Sequence, residues 1–160
     1  MARAAVITIS SSRARDGGDD ESGARLADFA GGLGLDVEGR DLIPDDRDQI
    51  EQRLTHWCDR ARCDLILTTG GTGFSPDDVT PEATRAVIDR EAPGIAEAMR
   101  MASREHTPNW MLSRAVAGIR NSSLVINFPG SPKAIEQAGE AIAVAVPHAL
   151  QLLAGQDPGH

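Results

Sequence analysis

The chain has 160 residues, 41% hydrophobic and 25% charged, with a formal net charge of -8. That length favours one domain whose core needs no disulfides, and that charge argues against nonspecific nucleic-acid binding while leaving small anionic ligands open. The N-terminal apolar run is too short for a signal peptide and no stretch approaches the ~20 apolar residues of a membrane span, so a cytoplasmic protein without membrane contact is expected.

Ala4–Ile9 (AAVITI) reads as a buried, β-branched first strand. Ser10–Arg13 and a polar loop, Ala14–Glu21, follow. Ser22 or Gly23 should open a helix with Leu26, Phe29, Ala30 and Leu33 on one face and Gly34 as C-cap. Val37–Ile43 is a weaker strand, interrupted by Gly39 and ending at Pro44-Asp45-Asp46. Asp46 can cap the next helix, which aligns Ile50, Leu54, Trp57 and Cys58.

Leu65–Leu67 is a short apolar run that ends in glycines, which marks a buried strand rather than a helix fragment. Gly70, Gly71 and Gly73 remove side chains that would hold a ligand away from the backbone, so the loop amides can face an anion. Thr80 is expected as the N-cap of the following helix, with Pro81 as its first residue. Two helical segments should run from Pro81 to Arg90 and from Gly94 to Arg104, separated by Pro93. Glu105–Leu112 reads as irregular, with Met111 and Leu112 docked on the core. Ser113–Arg120 is ambiguous. Asn121-Ser122 turns into the strand Leu124–Phe128. A second tight loop, Pro129–Pro132, starts a last helix that buries Ile135, Ala138, Ile142 and Leu150 and should kink at Pro147. The tail 155–160 should fray. This alternation predicts an α/β fold: a single-domain, three-layer α/β/α sandwich with a mostly parallel sheet. Ligands of such sheets bind beyond the C-terminal strand ends.

The glycine loop matches neither common phosphate motif. No Lys follows it as in a P-loop, and Pro76 occupies the third glycine position of a dinucleotide fingerprint. Glycines alone would mean only a tight turn. Asp77 and Asp78 beside them suggest a bridging divalent cation. Asp77 and Asp46 also read as solvated loop and cap residues, whereas Asp78 lies between the loop and the helix start. Asp45 gains interest because the fold would bring it to the same rim. Lys133 is the only lysine and falls in the first turn of a helix, where the macrodipole disfavours a cation unless an anion sits there. An exposed, functionally neutral lysine is the equal alternative. Capping explains Ser131. Cys58 and Cys63 lack a second pair for zinc and read as reduced thiols. The histidines His56, His106, His148 and His160 show no metal spacing, and Trp57 and Trp110 read as packing residues.

TTGGTGFSPDDVTPEAT, MLSRAVAGIR and LVINFPGSPKA together resemble the molybdopterin adenylyltransferase (MoaB/Mog) family over essentially the whole chain. The resemblance implies that residues 1–154 form a trimeric α/β domain that binds molybdopterin and ATP with Mg²⁺ and transfers AMP to the pterin's terminal phosphate. Carried over by motif, Asp45 and Asp78 are catalytic and Mg²⁺-holding, and Gly70, Gly71, Thr72 and Gly73 cradle the nucleotide. Ser10, Ser113, Ser131 and Lys133 fall on the pterin side. One departure stands out: Asp77 occupies a position that is often Arg in the family, for which Arg13 or Arg114 could substitute at a phosphate. A pterin-binding or scaffolding module with little catalysis is the alternative.

Overall fold

Six strands form a single sheet in the order β2-β1-β3-β6-β5-β4, its first three ladders parallel and its last two antiparallel. In the computed structural model, which describes residues 1–156 and 159, these are β1 (Arg3–Ile9), β2 (Asp36–Ile43), β3 (Leu65–Thr69), β4 (Arg90–Glu91), β5 (Ala117–Arg120) and β6 (Ser123–Phe128). The helices are α1 (Ser11–Asp16), α2 (Glu21–Gly32), α3 (Arg47–Thr55), α4 (Thr80–Val87), α5 (Pro93–Ser103), α6 (Pro132–Ile142) and α7 (Ala145–Leu153).

Strand alternation explains the three layers. Ala4, Val6, Leu65, Leu67, Leu124, Ile126 and Phe128 meet α2, α5, α6 and α7 on one face. Ala5, Ile7, Ile9, Ile66 and Val125 meet α3 and α4 on the other. Both faces are covered, so the central strands are apolar almost throughout. The chain steps from β1 to β2 on one side, then to β3 on the other side of β1. The gap between β1 and β3 is therefore the topological switch point, where such sheets open a crevice.

Gly39 does not break β2. Pairing skips Glu38 (Ala4 faces Val37, Ala5 faces Gly39), and a Cβ on Gly39 would lie 2.7 Å from the Trp57 ring. The glycine makes room for the indole, whose Nε1 donates to Asp41 at 2.7 Å. Asn127 anchors a buried polar group within the core. Its Oδ1 accepts from the Val116 amide, and its Nδ2 donates to Thr68 and Thr84, both at 3.0 Å. Replacing it with Leu strands the Val116 N–H, so Asn127→Leu should lower stability by about 1–3 kcal/mol. Urea unfolding of both proteins checks this.

Several boundaries differ from the sequence reading. Ser10 caps an extra short helix, α1, within the supposed loop. Asp20, not Ser22 or Gly23, caps α2, and a Cβ on Gly23 would strike Asp20 and Thr8. Helix α4 stops at Val87 because the chain turns to pair β4 with β5, and Pro93 begins α5 instead of merely separating two helices. Pro147 does not kink one helix. The chain breaks at Ala143-Val144, and Pro147 falls in the first turn of α7, which buries Leu150. Met111 and Leu112 are 62% and 42% exposed on a single 3-10 turn, where Trp110 is half-buried and lines a cavity. Asp46 and Ser131 cap their helices as expected, whereas the C-cap of α2 is Leu33 and Gly34 follows it with φ +86°. Both cysteines are buried free thiols, and burial pushes Cys58 up to about 11. Of the tail, residues 157, 158 and 160 lie outside the described residues. No helix among the described residues is long and apolar enough to cross a membrane.

Candidate functional site

The turn after β3 sits at the switch point and is built by close approaches that only glycine permits. Gly70 has φ +101°, and a Cβ there would lie 2.3 Å from the Ile9 carbonyl at the end of β1. Its Cα is 3.7 Å from where a Gly130 Cβ would be, so the β6 loop lies alongside. Gly71 has φ +69°, and its missing Cβ would meet Thr80 Oγ1 at 2.4 Å and Asp45 Oδ1 at 3.0 Å. At Gly73 the missing Cβ would lie 2.9 Å from Asp78 Oδ2. Two carboxylates thus flank one glycine turn.

Each acid is held. Asp45 Oδ2 accepts from the Ser11 amide and hydroxyl at 3.1 and 3.0 Å, and the Asp45 amide donates back to Ser11 Oγ at 2.9 Å. The other oxygen, Oδ1, is the one facing Gly71. Asp78 Oδ2 accepts from the Ser75 amide at 3.1 Å, closing the loop on itself. Thr80 is not the N-cap. It is the first residue of α4, and its hydroxyl donates to the Gly70 carbonyl at 3.0 Å while its amide donates to Gly71 at 3.2 Å. Thr69 and Ser22 hydroxyls donate to the Pro129 and Gly130 carbonyls at 2.6 and 2.7 Å, tying the β6 loop to the same rim. The amides of Gly71, Thr72, Gly73 and Phe74 have no acceptor among the described residues.

The remaining expected residues divide. Ser10 is committed to capping α1 and Ser131 to capping α6. Lys133 is exposed in the first turn of α6, with no carboxylate at ion-pair distance among the described residues. Ser113 is half-buried and shares a cavity of about 160 Å³ with Trp110, Pro129 and Ala134, which brings it beside the β6 loop and the start of α6. Asp77 is exposed on the turn. Arg13 donates to the Asp19 carbonyl, and Arg114 is fully occupied by the glycine loop and Glu82, so Arg114 does not stand in for the missing basic residue at a phosphate. Sequence reasoning missed Ser11, whose hydroxyl orients Asp45, because a Ser-Ser-Ser run carries no signal of which member does so.

The Arg114 guanidinium beside Glu82 holds that carboxyl below its ordinary value. A depressed carboxyl stabilises the fold above its ordinary value of 4.5, and the contribution disappears as pH falls through the lowered value. The stability difference between the native chain and Glu82→Gln at pH 7 should therefore shrink progressively in unfolding experiments as the pH is taken below 4.5.

No group of three or more His, Cys, Asp or Glu among the described residues is arranged to hold a metal. A pair of carboxylates fits a smaller demand. Mg²⁺ binds through one or two carboxylates together with water and substrate phosphates, and Asp45, from the loop after β2, and Asp78 offer hard oxygens beside the glycine turn.

Fold and turn together define a doubly wound α/β protein, a class whose ligands bind at the switch point, which here lies between β1 and β3. The chain belongs to the family described as the "probable molybdopterin binding domain", whose model matches residues 5–148. It is similar to the molybdopterin biosynthesis enzyme MoaB of Thermus thermophilus, at 42% identity and a TM-score of 0.91 over 98% of each chain. It is similar also to the molybdopterin biosynthesis Mog protein of Mycobacterium ulcerans, at 34% identity and a TM-score of 0.90 over 96% of this chain and 99% of that one. The molybdopterin adenylyltransferase of Helicobacter pylori strain J99 is 48% identical over 115 residues, 72% of this chain and 65% of that protein. The match thus spans just under two thirds of the length of that curated relative.

Proposed function

We propose that this chain is a molybdopterin adenylyltransferase that transfers AMP from ATP to the terminal phosphate of molybdopterin and releases pyrophosphate. The carrying observation is the open glycine turn at the switch point, its amides without acceptors and the Asp45 and Asp78 carboxylates on either side. Relatives named molybdopterin adenylyltransferase at 45–48% identity support the same reading.

The chemistry suits these residues. A phosphate monoester has its second pKa near ~6, so the attacking oxygen is already anionic at neutral pH and needs no strong base. A bond forms from that oxygen to the α-phosphorus, and the bond from the α-phosphorus to the bridging oxygen of pyrophosphate breaks. The task is placing two polyanions and stabilising the charge that spreads over them. Gly71, Thr72 and Gly73 present main-chain donors to the nucleotide phosphates, while Gly70, whose own amide donates to the Phe128 carbonyl at 3.4 Å, gives the ligand room to approach. Lys133 and the N-terminus of α6 face the pterin phosphate, with Ser131 shaping that terminus. Ser113 and Ser10 border the pterin side. Asp45 and Asp78 would hold Mg²⁺, which when bound neutralises phosphate charge. A homotrimer, a cytoplasmic location and a functional unit of residues 1–154 complete the proposal.

Pyrophosphate release that requires ATP, Mg²⁺ and molybdopterin together tests the reading, and no release under those conditions overturns it. Asp77, an exposed acid on the turn, favours one second reading, a module that binds pterin without turning it over. Titration calorimetry that shows molybdopterin binding without ATP-Mg²⁺ binding would select that module.

A further inference from the structure

Arg114 gives four donors to the segment that carries the glycine turn. Its amide donates to the Thr72 carbonyl, its Nε to Gly73 and its Nη2 to Asp78, each at 2.8 Å. Its Nη1 reaches Glu82 Oε2 at 2.7 Å. Every peptide bond described is trans, so each carbonyl points opposite to the amide that follows it. Drawing the carbonyls of Thr72, Gly73 and Asp78 toward Arg114 therefore turns the amides of Gly73, Phe74 and Val79 away from it. Those three amides have no acceptor among the described residues. Glu82, on the first turn of α4, fixes the guanidinium from the far side.

We infer that Arg114 is a positioning residue: its planar fork sets the orientation of the loop amides, and nucleotide affinity depends on that fork while pterin affinity does not. The inference rests on the adenylyltransferase reading for the identity of the ligand. It also explains why the chain keeps a fully engaged arginine here. A lysine carries the charge but cannot bracket two carbonyls and a carboxylate at once.

The test is Arg114→Lys in the full chain, read in two ways. In the ligand-free protein, hydrogen exchange at the amides of Ser75, Asp78 and Thr80, all bonded within the loop, should quicken about tenfold or more, one decade being the loss of about 1.4 kcal/mol of local order. In pyrophosphate-release assays the KM for ATP should rise about tenfold while the KM for molybdopterin stays within about twofold. Unchanged exchange with an unchanged ATP KM overturns the inference. A parallel rise in both KM values, with a fall in thermal midpoint, overturns it equally, because Arg114 would then be only a structural residue. If Arg114→Lys does not fold, Glu82→Gln keeps the cation and loosens one of its anchors, and must raise the ATP KM selectively. A native chain that uses no ATP ends the adenylyltransferase reading, while the exchange measurement still decides whether Arg114 orders the loop.

Discussion

Asp45→Asn and Asp78→Asn should each reduce pterin-dependent pyrophosphate release on the order of 10²–10³-fold, the scale on which removal of one preorganised electrostatic contact is felt. Both replacements are isosteric. A carboxamide in place of Asp45 can still accept from the Ser11 amide and hydroxyl, and one in place of Asp78 can still accept from the Ser75 amide. The fold should therefore survive, with thermal midpoints near that of the native chain. What disappears is the negative charge against Gly71 and Gly73. The loss should fall on kcat more than on the KM for molybdopterin, because the pterin side proposed above lies at α6 and the cavity near Ser113. Near-native turnover in either variant removes that carboxylate from the machinery.

The second large effect is on stability. Gly70→Ala places a methyl group 2.3 Å from the Ile9 carbonyl, on a residue with φ +101°. Ile9 cannot yield easily, since β1 is paired on both sides, with β2 and with β3. The left-handed backbone costs roughly 1–2 kcal/mol for an L residue and the overpacking about 1–3 more. At about 2–4 °C per kcal/mol for a chain of this size, the thermal midpoint should fall by roughly 4–20 °C. Gly31→Ala is the matched control. It lies inside α2 with nothing within 4 Å of the added carbon, and should raise stability by about 0.5–1 kcal/mol. A drop of similar size in both variants would show that the Gly70 environment is not special.

Much of this protein is legible from residue order because the signals are local. Ile66 and Leu67 announce a buried strand, Asp46 and Ser131 cap their helices, and Gly34 ends α2 through a positive φ. The errors share a cause: contacts outside the local window decide where a residue goes. Thr80 looks like a cap, yet its hydroxyl goes to Gly70 across the turn. Met111 and Leu112 look like core, yet both are exposed on a 3-10 turn beside the half-buried Trp110. Ser113–Arg120 is ambiguous as a string because β5 exists only through its antiparallel pairing with β6 and β4.

By itself the sequence determined the alternation of strands and helices, the glycine turn and the acids beside it, since periodicity, caps and φ freedom are properties of short windows. The tertiary structure decided that Asp45, from the end of β2, faces Gly71, and that Arg114, from the segment before β5, clamps the carbonyls of Gly73 and Asp78. Those pairings span 26 to 41 positions. They follow from the strand order around β1, which no local pattern encodes.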